Sequence, residues 1–363
     1  MVRHRTGCRG MGMAMRVIQW ATGGVGRAAI AGVQAHPELK LVGCWVHSPD
    51  KAGHDVGALC GGDPIGVTAT NDIDALLSVD ADCVIYAPIM ADPSVVARLL
   101  ASGKNVVTPL NWFFAGGRDE SVIEEACRAG RSTIHGTGIH PGGITERFPL
   151  AVSALSQSIT HVRAEEFSDI RSYGAPAVVG DIMLFGKTPE EAAASMMPAL
   201  LGDGFGQSIA MIGHALEFDL DPEPVVSHEV AVATAPIDSP IGAIPPGRIA
   251  AQKFCWQGTV RGTPVVTVRT NWFMGDQHLD PAWTFGPEGE RFEVEVTGDP
   301  SSQVTFRGWH PESVAAGLLR NPGIVATATH CVSAVPAVVA AGPGIKSYLD
   351  LLPYSGRAAG HLR

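Results

Sequence analysis

Along the first part of the chain, short β-branched apolar runs alternate with stretches of helical period. "MRVIQW" (15–20), "LKLVGCWVHS" (39–48), "DCVIYAP" (82–88), "NVVTP" (105–109) and "STIHGTG" (132–138) are compact apolar runs and read as buried strands. Between them lie helical segments. "VGRAAIAGVQAH" places Val25, Ala29, Ile30 and Val33 on one face and is closed by Pro37. "DIDALLS", "PSVVARLLASG" and "ESVIEEACRAG" follow, the second opened by a proline and ended by Gly103. Strands alternating with helices of this length predict a parallel sheet covered on both faces.

After Thr145 the pattern changes. "HVRAEEFSDI", "PVVSHEVAVATAPI", "RIAAQKFCWQGTV", "PVVTVRTNWFM", "RFEVEVTG" and "SQVTFRGW" read as strands, several alternating with period two. Two helices interrupt them, "TPEEAAASMMPALL" and "GQSIAMIGHALEF". The expectation is an α/β chain: a Rossmann domain over residues 15–145, then an α+β domain with a mostly antiparallel sheet over 146–324. The apolar end, "VATATHCVSAVPAVVAAGPGI", predicts a helix within 325–363 that packs back on the first domain.

Composition narrows the function classes. With 45% hydrophobic and 17% charged residues the chain can bury a large core. A net charge of −10 argues against a nucleic-acid partner, since phosphate binding needs a basic face. The longest apolar run, Cys331 to Ala341, is interrupted by Pro336 and falls short of the ~20 residues of a membrane span, so no membrane partner is expected. The seven cysteines are scattered singly with no C-x-x-C, which reads as reduced thiols in a cytoplasmic protein. Residues 1–14 carry three arginines and no acid, and read as a loose tail or an over-extended start. The 13 histidines show no metal-ligand spacing, so no metal is expected.

The stretch "VIQWATGGVGRAAI" carries the first chemistry. Thr22, Gly23, Gly24, Val25 and Gly26 sit between a strand and a helix, where a dinucleotide turn needs close backbone approach to a pyrophosphate. Ala21 occupies the slot usually held by the first glycine, and its methyl is expected to fit with φ negative. The free N–H groups of the following helix would face the phosphates. The second strand ends in His47, Ser48 and Lys51 with no acid, which suits a 2′-phosphate and so NADP, with NAD also possible.

The combination of "VIQWATGGVGR", "LVGCWVHSPDKAGHDVG" and "GTGIHPGG" resembles actinobacterial dihydrodipicolinate-reductase-like proteins, a family that includes 2,4-diaminopentanoate dehydrogenase and the native amine dehydrogenases. "EEFSDIRSYGAP", "DIMLFG", "NWFM" and "LDPAW" fit the same family, so the resemblance covers nearly the whole chain. It implies NAD(P)-dependent oxidoreduction at a C–N bond of a small molecule, in a cleft between a Rossmann and an α+β domain. Two departures stand out. The resemblance implies a glutamate just after the "NVVT" strand, where this chain reads Thr108-Pro109-Leu110-Asn111-Trp112. The family's asparagine in the glycine-rich turn is replaced by His140.

Three strand ends should surround the nicotinamide: Ala87 and Pro88, then Thr108 to Trp112, then Gly138 to Gly142. His140 is the expected proton donor, because an unperturbed imidazole titrates near neutrality. Asn111 would orient the substrate, and Glu146 is the nearest carboxylate able to replace the missing one. Asp169 and Tyr173 would reach the cleft from the second domain, Tyr173 lining the pocket by resemblance, with Trp112 as an aromatic wall. A homodimer is the expected assembly. Two alternatives stay open: an NAD(P)H-dependent ketone or aldehyde reductase, and a catalytically silent nucleotide-binding regulator.

Overall fold

The computed structural model describes residues 14–286, 290–308, 321–359 and 362, so the expected tail over 1–13 lies outside the described residues. Strands β1 (Met15–Trp20), β2 (Leu39–Trp45), β3 (Ala69–Thr70), β4 (Cys83–Tyr86), β5 (Asn105–Thr108) and β6 (Thr133–Gly136) alternate with helices α1 (Gly24–Ala35), α2 (Val56–Leu59), α3 (Ile73–Ser78), α4 (Pro93–Ala101) and α5 (Ser121–Gly130). The strands pair in parallel as β6-β5-β4-β1-β2-β3. Asp72 and Asp92 start α3 and α4 by accepting the N–H groups of each first turn.

A π-helical turn (Gly143–Arg147) and helix α6 (Phe148–Ser153) lead into the second half. There β7 (His161–Asp169) is followed by α7 (Pro189–Ala193), α8 (Met197–Leu216), β8 (Val225–Ala233), β9 (Ile249–Val260), β10 (Thr263–Phe273), β11 (Leu279–Asp280), β12 (Arg291–Thr297) and β13 (Ser302–Arg307). These strands form a second sheet in the order β11-β8-β9-β10-β7-β12-β13, antiparallel except for the parallel pair β10 and β7. Alternation decides its two faces. In β7, Glu165 faces Asn271 of β10 on one side, whereas Glu166 faces Trp272 on the other. The second face is covered by α8, whose Phe205, Ile209 and Ile212 pack on Phe254, Trp256 and Val268.

One local reading changes. The segment 188–201 does not form one helix: α7 ends at Ala193, and Pro198 lies in the first turn of α8. The final helix, α9 (Pro322–Val339), forms as expected and continues through Pro336, with Val335 and Val338 beside it buried against the first half. Among the described residues α9 is the helix long and apolar enough to cross a bilayer, with mean hydropathy 1.5, yet in this fold it lies against α1 and the first sheet. After it, β14 (Gly344–Ile345) adds a seventh parallel strand beside β6. The chain end thus returns to the Rossmann half.

Candidate active site

The turn after β1 differs from expectation at its first residue. Ala21 has φ +75°, the left-handed region that glycine usually fills. Buried Gln19 holds it there, donating from Nε2 to the carbonyls of Trp20 (3.0 Å) and Ala21 (3.1 Å). The two glycines that matter do different work. A Cβ on Gly26 would lie 2.1 Å from the Ala21 carbonyl oxygen, so this glycine lets α1 lie against the turn. A Cβ on Gly23 would meet nothing within 4 Å. No side chain caps α1, its first turn carries no acid, and Gly23 and Gly24 are exposed beside the half-buried Val25. Thr22 is buried, and its carbonyl accepts from Arg27 Nε at 3.1 Å. A bare helix N-terminus above a side-chain-free turn fits a dinucleotide pyrophosphate.

Around the turn, the strand ends supply an apolar lip and few protons. His47 is exposed, Ser48 precedes a short helical turn (Pro49–Lys51), and Lys51 is half-buried. Beyond β4, Ala87 and Pro88 lead to Ile89 and Met90, which are 65% and 56% exposed. Thr108 is buried, its hydroxyl accepting from the Leu110 amide at 3.2 Å. Gly138 touches Thr327 of α9, where an added Cβ would stand 3.3 Å away.

The next residues are placed otherwise than the sequence suggested. Asn111 Oδ1 accepts from Gln207 Nε2 at 2.5 Å, and Gln207 Oε1 accepts the Phe113 and Phe114 amides at 3.0 and 3.2 Å. Asn111 is therefore tied to α8 rather than presented to a substrate. Trp112 is buried in the Rossmann core and donates to Glu120 at 2.9 Å, so it forms no pocket wall. His140 stands at the cleft, but its ring packs on Phe205 (4.7 Å) and its Nε2 lies 3.1 Å from the Arg269 carbonyl. Desolvation pushes this imidazole down to about 3. A neutral ring donating to a backbone carbonyl has no proton to deliver at neutral pH, which corrects its expected role.

Glu146 lies inside the π-helical turn and is fully buried. Ser208 of α8 donates to Oε1, and Oε2 has no partner. Burial pushes the carboxyl up to about 8, so it is mostly protonated at neutral pH. Close by, Thr137 meets Tyr348 and His330, the last at 2.9 Å from Nδ1, while Arg147 Nη1 lies 3.0 Å from His330 Nε2. These groups staple the chain end to β6. The sequence hints at them only through a histidine in the apolar run 325–341.

The groups that sequence patterns did not single out line the inner face of the second sheet. Glu166 Oε1 accepts from Trp272 Nε1 at 3.2 Å. Ser168, two residues on, donates to Glu290 at 3.4 Å, and Asn321 Nδ2 reaches both Glu290 and Ser172 at 3.3 Å. Thr270 sits in register beside Glu166 on the same face, and its buried hydroxyl has no partner. Burial, then the neighbouring Glu290, pushes Glu166 up to about 8. Burial, then Asp169, pushes Glu290 up to about 7. Of the expected residues on this side, Tyr173 is at the cluster, its phenol raised by burial and by Glu166. Asp169 is instead engaged by Arg171 Nε at 2.9 Å. Tyr173 also borders an open groove of about 450 Å³ with Arg171, Ser172 and Asp238.

The first turns of α9 join the two sides. Ile324 touches Gly24, Gly323 faces Phe292, and Thr327 lies on Gly138. The dinucleotide turn, the His140 turn and the carboxyl-bearing sheet face thus all meet the first turns of α9.

Comparison with known proteins agrees with this fold. The family model for the 2,4-diaminopentanoate dehydrogenase C-terminal domain matches residues 144–359. An amine dehydrogenase of Streptomyces virginiae is 30% identical over 94% of this chain and 97% of its own length. A 2,4-diaminopentanoate dehydrogenase of Acetoanaerobium sticklandii is 24% identical over 63% of this chain and 60% of that protein. The structure of an amine dehydrogenase from Mycobacterium smegmatis superposes with a TM-score of 0.75 at 18% identity, covering 94% of this chain and 97% of that one. The chain belongs to the amine dehydrogenase and 2,4-diaminopentanoate dehydrogenase family and is an NAD(P)-dependent oxidoreductase.

Proposed function

We propose that the protein interconverts a small-molecule amine and the corresponding imine, with hydride passing to or from the nicotinamide. One observation carries this reading over ketone reduction: the polar face of the second sheet that meets the first turns of α9 carries two carboxyls, Glu166 and Glu290, whose hydrogen-bond partners among the described residues are the neutral Trp272, Ser168 and Asn321. Burial holds these carboxyls largely protonated near neutral pH, and a cation placed beside them draws them into the charged form. An ammonium or iminium nitrogen is positive and gains from them.

In this reading Thr22 to Gly26 hold the pyrophosphate, and Ala87, Pro88, Thr108 and Gly138 border the nicotinamide. The cofactor supplies the hydride acceptor, and the chain's own residues orient the substrate and handle protons. His47, Ser48 and Lys51 favour NADP, since no carboxylate stands at the end of β2 to meet a free ribose hydroxyl. The reading places the enzyme in the cytoplasm as a homodimer, and the unpaired state of the six described cysteines supports a reducing compartment. The test is NADPH oxidation with short aliphatic ketones and aldehydes, with and without ammonium chloride. Turnover that requires ammonium supports the reading. Equal turnover without it favours the carbonyl reductase.

A further inference from the structure

Three features of the inner sheet face converge on one strand position. Glu166 lies midway along β7, with its register neighbour on β10, Thr270, beside it and Phe292 of β12 on its other flank. Thr270 is fully buried and its hydroxyl has no partner, although Glu166 and Trp272 beside it are bonded to each other. A buried hydroxyl without a partner loses its hydrogen bonds to water and gains none in return, so it marks a place where a polar ligand atom belongs. Phe292 meets the His140 ring at 6.3 Å between centroids, and His140 ends the loop that leaves β6 beside the cofactor turn. His140 Nε2 also lies 3.1 Å from the carbonyl of Arg269, the residue before Thr270, so the Glu166–Thr270 pair lies next to the loop that leaves β6.

We propose that Glu166 and Thr270 form the binding site for the reacting nitrogen, and that Glu166 is the base that takes its proton. This rests on the carbon–nitrogen reading above. The substrate is an alkyl ammonium. Its N–H bond breaks as the carboxylate Oε–H bond forms, leaving a neutral amine and a neutral carboxyl. In the reverse direction the same carboxyl returns the proton to the amine. Thr270 Oγ1 accepts a second N–H and fixes the nitrogen. Trp272 Nε1 donates to the carboxylate and holds its rotamer.

The charged and titrating groups around Glu166 fit this role. Glu290 and Tyr173 are its ionisable neighbours: Glu290 raises the proton affinity of Glu166, and Glu166 in turn raises that of Tyr173. The imidazole packed against Phe292, that of His140, is neutral and bonded to a carbonyl. A base with a proton affinity near neutrality accepts and returns protons at working pH. Asp169, by contrast, is engaged by Arg171.

The experiment uses the full chain with NADPH, cyclohexanone and butanal as carbonyl probes, and ammonium chloride. Glu166→Gln is isosteric with the protonated acid, so it should fold. It should lower the ammonium-dependent rate by about 10²–10⁴-fold and leave NADPH affinity by calorimetry unchanged. Infrared titration supplies a readout independent of turnover: a protonated-carboxyl band that disappears as pH rises past neutrality should be weaker in Glu166→Gln. Thr270→Val keeps the volume and should raise the KM for ammonium by about ten-fold with a smaller change in kcat. If wild type needs ammonium but Glu166→Gln keeps the wild-type rate and carboxyl titration, the assignment of Glu166 is overturned and the carbon–nitrogen reading stands. If wild type turns over both carbonyl probes equally without ammonium, both fall.

Discussion

The same substitution at two glycines of one turn should have opposite effects. At Gly26 a Cβ would stand 2.1 Å from the Ala21 carbonyl oxygen and 3.2 Å from Gln19 Nε2. Ordinary van der Waals separation needs more than an ångström of extra room, and backbone must move to give it. Gly26→Ala should destabilise the fold by about 1–3 kcal/mol, the range for overpacking, or roughly 4–8 °C in Tm per kcal/mol for a small domain and less here. At Gly23 a Cβ meets nothing within 4 Å, and the backbone, φ −70°, suits any residue. Stability without cofactor should change by only a few tenths of a kcal/mol, since a weaker N-cap offsets the gain in unfolded-state entropy. The added methyl instead fills the space where a phosphate would meet the helix N–H groups. Breaking one charge-assisted hydrogen bond costs about 1.5–3 kcal/mol, or one to two decades in Kd. Thermal unfolding without cofactor and calorimetry with NADPH separate the two effects. Wild-type NADPH affinity in Gly23→Ala would refute the assignment of this turn to the pyrophosphate.

Lys51→Ala should weaken NADPH by about one to two decades and barely alter NADH, and equal losses in parallel calorimetric titrations would remove Lys51 from the 2′-phosphate. His140→Asn should keep most of the activity and an unaltered pH profile, because the imidazole is already neutral; a new pH dependence of kcat would show that His140 does carry a proton. For Glu146, the folded carboxyl holds its proton up to about 8 whereas an ordinary one releases it near 4.5. The folded state thus binds more protons between those values, and stability falls as pH rises through that window. Glu146→Gln should flatten the loss of Tm between pH 5 and 8, and curves parallel to wild type would contradict the buried, protonated state.

The strand and helix order was legible because the decisive signals are local. Period-two and 3.6-residue patterns, Asp72 and Asp92 before their helices, and the glycines of the first turn each act within a few residues. What escaped depends on residues far apart in sequence. Ala21 adopts φ +75° because Gln19 reaches back to its carbonyl, a tertiary detail no pattern shows. His140 looked like a titrating group until Phe205 and Phe292 closed around it and Arg269 supplied a carbonyl. Asn111 and Trp112 are adjacent to the cleft in sequence, yet Gln207 and Glu120 claim their polar atoms. Glu166 gained its meaning only from the parallel register of β7 against β10, which sets it beside Thr270 and Trp272.

The central claim is oxidoreduction at a carbon–nitrogen bond, and isotope transfer tests it most directly. Purified enzyme, NADPH, an aldehyde or ketone that supports turnover and ¹⁵N-ammonium chloride are incubated, and the product is identified by mass spectrometry. The account predicts an amine carrying ¹⁵N, formed one for one with the NADPH consumed. An alcohol without nitrogen, formed at the same rate whether or not ammonium is present, would contradict it.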